Sequence, residues 1–162
     1  MGEVGYKHIV CDPAACTGCR LCEYACSMTK MRRYDPNYSR IRVVRIEPIT
    51  MLAITCRLCE DAPCIIACPR DALSRSEANG TILVNDDKCD GCGWCVEACD
   101  FGAIVLNPES RHAEICDLCA DEQDGPQCVA FCPKEALSLS TAEVVRQNAR
   151  REVVSRLVEE LG

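Results

Sequence analysis

Residues 16–26 read CTGCRLCEYAC, four cysteines at C-x2-C-x2-C-x3-C spacing. Three more groups of four follow: CRLCEDAPCIIAC at 56–68, CDGCGWCVEAC at 89–99 and CDLCADEQDGPQCVAFC at 116–132. Together they use sixteen of the 17 cysteines and leave Cys11 over. Every group is a C-x2-C, a gap and a C-x3-C; the gap is two residues in the first and third groups, four in the second and eight in the fourth. The echo reaches beyond the cysteines, since Cys-Pro-Arg-Asp-Ala-Leu-Ser at 68–74 is matched by Cys-Pro-Lys-Glu-Ala-Leu-Ser at 132–138. Such self-similarity marks duplicated units.

The rest of the 162 residues bears on what the cysteines are for. Only seven are Phe, Trp or Tyr, so an aromatic-rich core is not expected and something else must fill the middle. A Cys share this high would suggest disulfides in a small secreted protein. The N-terminal MGEVGYKHIV, however, has no basic region leading into an apolar run. Arg32-Arg33 lies too far inside for a twin-arginine signal, and Tyr6 does not fit myristoylation. A reducing cytoplasm is the expected location, and no run of 18 apolar residues exists to span a membrane. The net charge of −7 argues against nucleic acid as a partner.

In a reducing compartment, dense regular Cys spacing points to metal. C-x2-C-x2-C-x3-C is the bacterial run for [4Fe–4S] clusters. A short loop with a thiol at every third position can wrap one small cube and give it three thiolates. The fourth Cys, about one helical turn on, is carried towards a second cube. Zinc remains the alternative, because two C-x2-C pairs can make a four-thiolate site and the second and fourth groups could each supply halves of one. Three consecutive x2-spaced thiols plus a fourth, as in the first and third groups, suit a cluster loop better than a tetrahedral chelate.

Short strand signals bracket the loops: HIV at 8–10, IRVVRI at 41–46, TILV at 81–84, AIVL at 103–106 and ALSLS at 136–140. Asn79-Gly80 predicts a hairpin turn. Each C-x3-C should open or form a brief helix. The expected fold is α+β, a ferredoxin-like module present twice.

These four groups, with the widened gap in the second and fourth, resemble the four-cluster iron–sulfur subunits, or polyferredoxins, that accompany molybdopterin and tungstopterin oxidoreductases, over about residues 6–140. The small size resembles the iron–sulfur subunits of tungsten aldehyde oxidoreductases. The resemblance implies one ferredoxin-like module inserted in the other: a four-cluster domain at 1–140, with an outer module of 1–50 plus 107–140 and an inner module of 51–106, then a C-terminal helix at 141–162. It implies four [4Fe–4S] clusters, held by Cys16, Cys19, Cys22 and Cys132; by Cys116, Cys119, Cys128 and Cys26; by Cys56, Cys59, Cys64 and Cys99; and by Cys89, Cys92, Cys95 and Cys68. It also implies electron transfer to or from a catalytic oxidoreductase subunit of the tungstopterin or molybdopterin type. Further partners are a flavin- or NAD-binding subunit, a ferredoxin, or further copies of the chain. A free-standing polyferredoxin shuttle and a zinc-stabilised interaction module are the other functional readings.

No catalytic residue is expected. His8 and His112 have no companion constellation and read as surface or strand residues; the carboxylates lie singly in polar loops, and no phosphate loop or G-x-G-x-x-G occurs. Cys11 reads as a small hydrophobe after the first strand. Arg20 and Arg57 either raise cluster potentials or face water. Leu21, Leu58, Leu118, Ile65, Ile66, Val96, Val129, Phe131 and Trp94 are expected to keep water off the cubes. Charge is uneven: 28–47 is basic and 114–124 acidic. The stretch at 31–48 reads as a hairpin turning at Pro36 and closed by Pro48, either docking on an acidic partner or solvated. In the C-terminal segment Ser140-Thr141-Ala142-Glu143 reads as a capping box, and Val145, Ala149, Val153, Leu157 and Leu161 as one face of an amphipathic helix.

Overall fold

The computed structural model describes residues 6–47 and 49–161, an α+β arrangement of four two-stranded antiparallel sheets and short helices. The two ends of the cysteine-rich region meet: β1 (His8–Cys11) pairs with β8 (Leu137–Ser140), Ile9 opposite Leu139. Between them lie the hairpins β2 (Arg42–Ile46) with β3 (Thr50–Ile54), β4 (Leu73–Arg75) with β5 (Ile82–Val84), and β6 (Val105–Leu106) with β7 (Ala113–Glu114). The C-x3-C segments become α1 (Leu21–Met31), α2 (Pro63–Ile66), α3 (Trp94–Glu97) and α4 (Gln127–Ala130). α1 packs on α4, and α2 on α3.

Burial divides the molecule into two cores. One gathers Ile9, Ile41 and Leu137 with Cys22, Cys26, Cys116 and Cys128. The other gathers Leu73, Ile82, Ile104 and Ile115 with Cys64 and Cys95. Cys56 packs against both. Tyr38 is the single fully buried aromatic among the described residues, so thiols and small aliphatics occupy the interior, as the composition required.

Several expected elements take a different form. Pro36 does not turn a hairpin; it starts a 3-10 turn over Pro36–Tyr38, capped by the Asp35 side chain accepting from the Asn37 N–H at 2.9 Å. Proline presets φ for the first turn of such a helix, and Tyr24 and Tyr34, stacked at 4.4 Å, fold the segment back on α1. The hairpin lies later, with β3 as an unforeseen second strand; Pro48 falls outside the described residues. Asn79-Gly80 does sit in the β4–β5 connection. That connection is longer than two residues: Gly80 donates to the Ser76 carbonyl, and the Asn79 amide oxygen accepts from Thr81.

At the C-terminus, α5 (Ala142–Leu161) is capped by Thr141, whose hydroxyl accepts from the Val144 N–H at 3.4 Å. With Thr141 as N-cap, Glu143 is one position short of the third helical residue that a capping box needs. Nor is the helix one-sided. The expected stripe drifts by about 40° at each four-residue step, and Val144, Val154 and Val158 fall elsewhere on the circumference. No residue of α5 is buried.

Candidate metal centres

The C-x2-C loops bend through left-handed residues. Arg20, Leu58, Leu118 and Cys119 have φ between 51° and 63°, and Gly18, Gly91 and Gly93 have φ of 70°, 71° and 83°. Alternating handedness coils the backbone into a concavity that N–H groups can line. Each four-residue helix holds the first cysteine of a C-x3-C, and the second follows two residues after the helix ends. The residue after the first of them, Ile65, Val96 or Val129, packs against a core.

Three cavities result, and each is lined by four thiols from two groups. Cys16, Cys19 and Cys22 share a cavity of about 340 Å³ with Cys132, more than a hundred residues away. Cys89, Cys92 and Cys95 share about 330 Å³ with Cys68, and Cys56, Cys59 and Cys64 share about 420 Å³ with Cys99. The remaining four are all buried, and the Cys128 thiol is pushed up chiefly by desolvation and then by the thiols of Cys116, Cys26 and Cys119. Backbone N–H groups donate to the sulfurs of Cys26 (from Arg40, 3.3 Å), Cys68 (from Ala72, 3.4 Å), Cys99 (from Ala103, 3.4 Å) and Cys89 (from Ala113, 3.5 Å).

The donor chemistry fits iron–sulfur clusters: each of the three cavity walls carries four thiols and no histidine. Among the described residues no three or more His, Cys, Asp or Glu stand close enough together to hold a single metal ion. Burial pushes the Cys56 and Cys95 thiols up to about 11 and those of Cys22 and Cys116 to about 12, so loading metal expels protons. Cys11 lines none of the three cavities; its sulfur accepts from the Ala53 N–H at 3.4 Å beside Cys16 and Cys132, and burial raises its thiol to about 11.

The apolar shell is only partly as expected. Leu58 is buried, and Ile65, Val96, Leu118 and Val129 pack on the cores, whereas Leu21, Ile66, Trp94 and Phe131 are exposed, Trp94 by 63%. Leu21 and Trp94 immediately precede an inward Cys, and Ile66 stands two residues after one, so a 100° step per residue turns them out. Both arginines of the CRLC loops stand at cavity walls: Arg20 bonds Glu23 at 2.6 Å, and Arg57 lies over the Phe101 ring at 5.5 Å. His112 faces Asp86 at 3.5 Å. His8 is not at the surface: it is buried in β1, its Nε2 has no hydrogen-bond partner, and desolvation lowers its pKa.

Two features escaped the sequence reading. Glu23 is no loop carboxylate; it is 1% exposed and also accepts from the Val43 N–H at 2.8 Å, tying α1 to β2. The basic and acidic segments, moreover, satisfy each other. Lys30 reaches Asp117 at 2.8 Å, Arg40 reaches Asp117 at 2.9 Å and Glu114 at 2.8 Å, and Arg33 reaches Glu109 at 2.6 Å. Their opposite signs, some seventy residues apart, were the signal for internal pairing.

Residues 48–142 match the model of the 4Fe-4S dicluster domain. The chain is 39% identical over 155 residues to the putative electron transport protein YsaA of Escherichia coli (strain K12), covering 90% of this chain and 97% of that protein. It is 36% identical over 156 residues to the electron transport protein HydN of the same organism, covering 81% and 86%. It is 42% identical over 125 residues to the polyferredoxin-like subunit of an aliphatic sulfonate oxidoreductase from Pyrococcus furiosus, covering 76% and 70%.

Proposed function

The chain belongs to the 4Fe-4S dicluster domain family, and we infer that it is an electron-transfer component of an oxidoreductase, with [4Fe–4S] clusters as cofactors and no catalytic site of its own. Such clusters exchange single electrons and leave bond-making to another centre. We propose four of them, ligated by Cys16, Cys19, Cys22 and Cys132; Cys116, Cys119, Cys128 and Cys26; Cys56, Cys59, Cys64 and Cys99; and Cys89, Cys92, Cys95 and Cys68. The observation that carries this reading is the lining of the cavities, where thiols from sequence-distant groups meet in fours. The nested division into 1–50 plus 107–140 around 51–106 is proposed with it, supported by the β1–β8 pairing and the two cores.

The same packing supports an order for the centres. Cys22 shares a core with Cys116 and Cys128, and Cys56 packs against that core. Cys56 joins the two cores, while Cys64 and Cys95 share one of them. The proposed row therefore runs from the Cys16 set through the Cys128 set and the Cys56 set to the Cys89 set. Cys19 and Cys92, the exposed cysteines, belong to its two ends. Electrons would enter and leave there, between a catalytic subunit, for which the tungstopterin or molybdopterin type is proposed, and a second redox module or ferredoxin. The relative from Pyrococcus furiosus is itself a subunit of an oxidoreductase. No helix among the described residues is long and apolar enough to cross a membrane; the reducing cytoplasm is the proposed location.

Iron, sulfide and zinc content of anaerobically purified protein tests the reading, with co-purifying subunits identified by mass and metal. About sixteen iron per chain is expected. Abundant zinc with little iron overturns it, and full iron without any stoichiometric partner would instead favour a free-standing shuttle.

A further inference from the structure

Lys30, Arg40, Glu114 and Asp117 form a charged network in which every side chain is mostly buried, 8% to 22% exposed. Removing four charges from water is costly, and apolar side chains would hold two segments together at least as well. The position of the network distinguishes it. The Arg40 backbone N–H donates to the Cys26 sulfur at 3.3 Å, and Lys30 lies one helical turn beyond Cys26 on α1. Asp117 follows Cys116 directly, and its Oδ1 accepts from the Cys119 N–H at 3.0 Å. Three of the four cysteines proposed for one centre are thus in contact with the network, through sulfur or backbone N–H, or next to it in the chain. That set is also the one whose thiols are all buried. Water screens less there than at the surface, and reducing a cluster adds one negative charge, so fixed charges at this place act on its potential more strongly than exposed ones would.

We propose that Arg40 is the positioning residue that sets the reduction potential of the centre held by Cys26, Cys116, Cys119 and Cys128, raising it, with Asp117 acting in the opposite sense. The inference rests on the ligation proposed above. Arg40 presents a donor N–H to one ligand while Glu114 and Asp117 hold its guanidinium beside that ligand. Lys30 adds a second cation at Asp117, and without Arg40 the two carboxylates would face the centre with Lys30 alone.

The test is a reductive titration of the anaerobic full-length holoprotein with dithionite, followed by electron paramagnetic resonance, with iron and sulfide counted on every sample. The centre is identified as the signal missing from Cys128→Ala. Arg40→Gln is expected to make that centre harder to reduce by about tenfold at a fixed poise, about 59 mV for one electron. Asp117→Asn is expected to shift it the other way, Arg40→Lys to stay near the parent, and Arg33→Gln, in a half-exposed pair outside the network, to shift nothing. Opposite shifts at one centre are not what a merely structural lock would give. Unchanged potentials, or shifts of the same sign in Arg40→Gln and Asp117→Asn, overturn the inference. If Arg40→Gln loses iron, an unmoved potential in Asp117→Asn overturns it. A parent protein far short of about sixteen iron refutes the cluster count instead, a separate outcome.

Discussion

The two cores repeat one cysteine pattern and surround it differently. Around Ile9, Ile41 and Leu137 the first C-x3-C lies within the eleven residues of α1, and buried Lys30 and Arg40 meet Asp117 and Glu114. Around Ile82 and Ile104 both helices have four residues, and the pairs nearby, Arg70 with Asp90 at 3.7 Å and His112 with Asp86 at 3.5 Å, are largely open to solvent. Exposed pairs of that kind contribute about 0–1 kcal/mol, whereas the first core holds a network of four mostly buried charges beside its thiols. Thiol spacing decides that a centre can be built. The layer outside the thiols decides what kind of centre it is.

The sharpest way to break the comparison is to remove one crossing ligand from each side. Cys132→Ala and Cys68→Ala should each lose one centre, about four of about sixteen iron, in the cavities of residues 16–22 and 89–95 respectively. Equal losses would mean that the thiol layer is the same in both halves. Iron analysis with spectroscopy reads this, and a first-loop centre left intact in Cys132→Ala would refute the crossing.

Packing should be felt next. Ile41, 1% exposed beside Arg40, and Ile104, in the other core, should each cost about 2–5 kcal/mol on truncation to Ala, read as a lower temperature for bleaching of the visible absorbance. A much smaller loss at Ile41 would mean that the ion network, rather than apolar contact, holds its core together.

Gly18 and Gly91 occupy equivalent places in the first and third loops, with φ of 70° and 71°. A methyl group at either is strained by about 1–2 kcal/mol. At Gly18 the added carbon would meet the flexible Met51 side chain at 2.8 Å, whereas at Gly91 it would meet the Arg111 carbonyl oxygen at 2.5 Å. Gly91→Ala should therefore lower thermal stability more than Gly18→Ala, and the reverse order would mean that the 89–95 loop is the more yielding. The smallest effect belongs to neither core: Leu157→Ala with Val158→Ala, on a helix that buries nothing, should change stability by less than about 0.5 kcal/mol and leave iron content alone.

Much of this was legible in the chain. The four groups and their shared spacing led to the cofactor and to an α+β fold with strands close to 8–10, 41–46, 81–84 and 136–140. The ligand sets themselves came from the family resemblance and stay a proposal, which the lining of three cavities by thiols of sequence-distant groups supports. What misled was local pattern without context. Pro36 with flanking tyrosines looked like a hairpin tip, yet a proline suits the start of a 3-10 turn equally well, and Arg33 stacking on Tyr38 at 4.9 Å favours the turn. Trp94 looked like shell because it stands between two cysteines, but neighbours along a helix point 100° apart.

Spacing along a chain controls what one loop can wrap, because a few residues between thiols fix how close they come; so the sequence by itself determined the cofactor, the loops and the helical turns. Which charge is buried against which depends on segments about seventy to ninety residues apart, and only tertiary packing brings those together. The pairing of Lys30 and Arg40 with Glu114 and Asp117, the burial of Glu23, and the exposure of Cys19 and Cys92 were decided there. The physical reason is that a charge acts strongly only where water has been excluded, and it is the folded interior that excludes it.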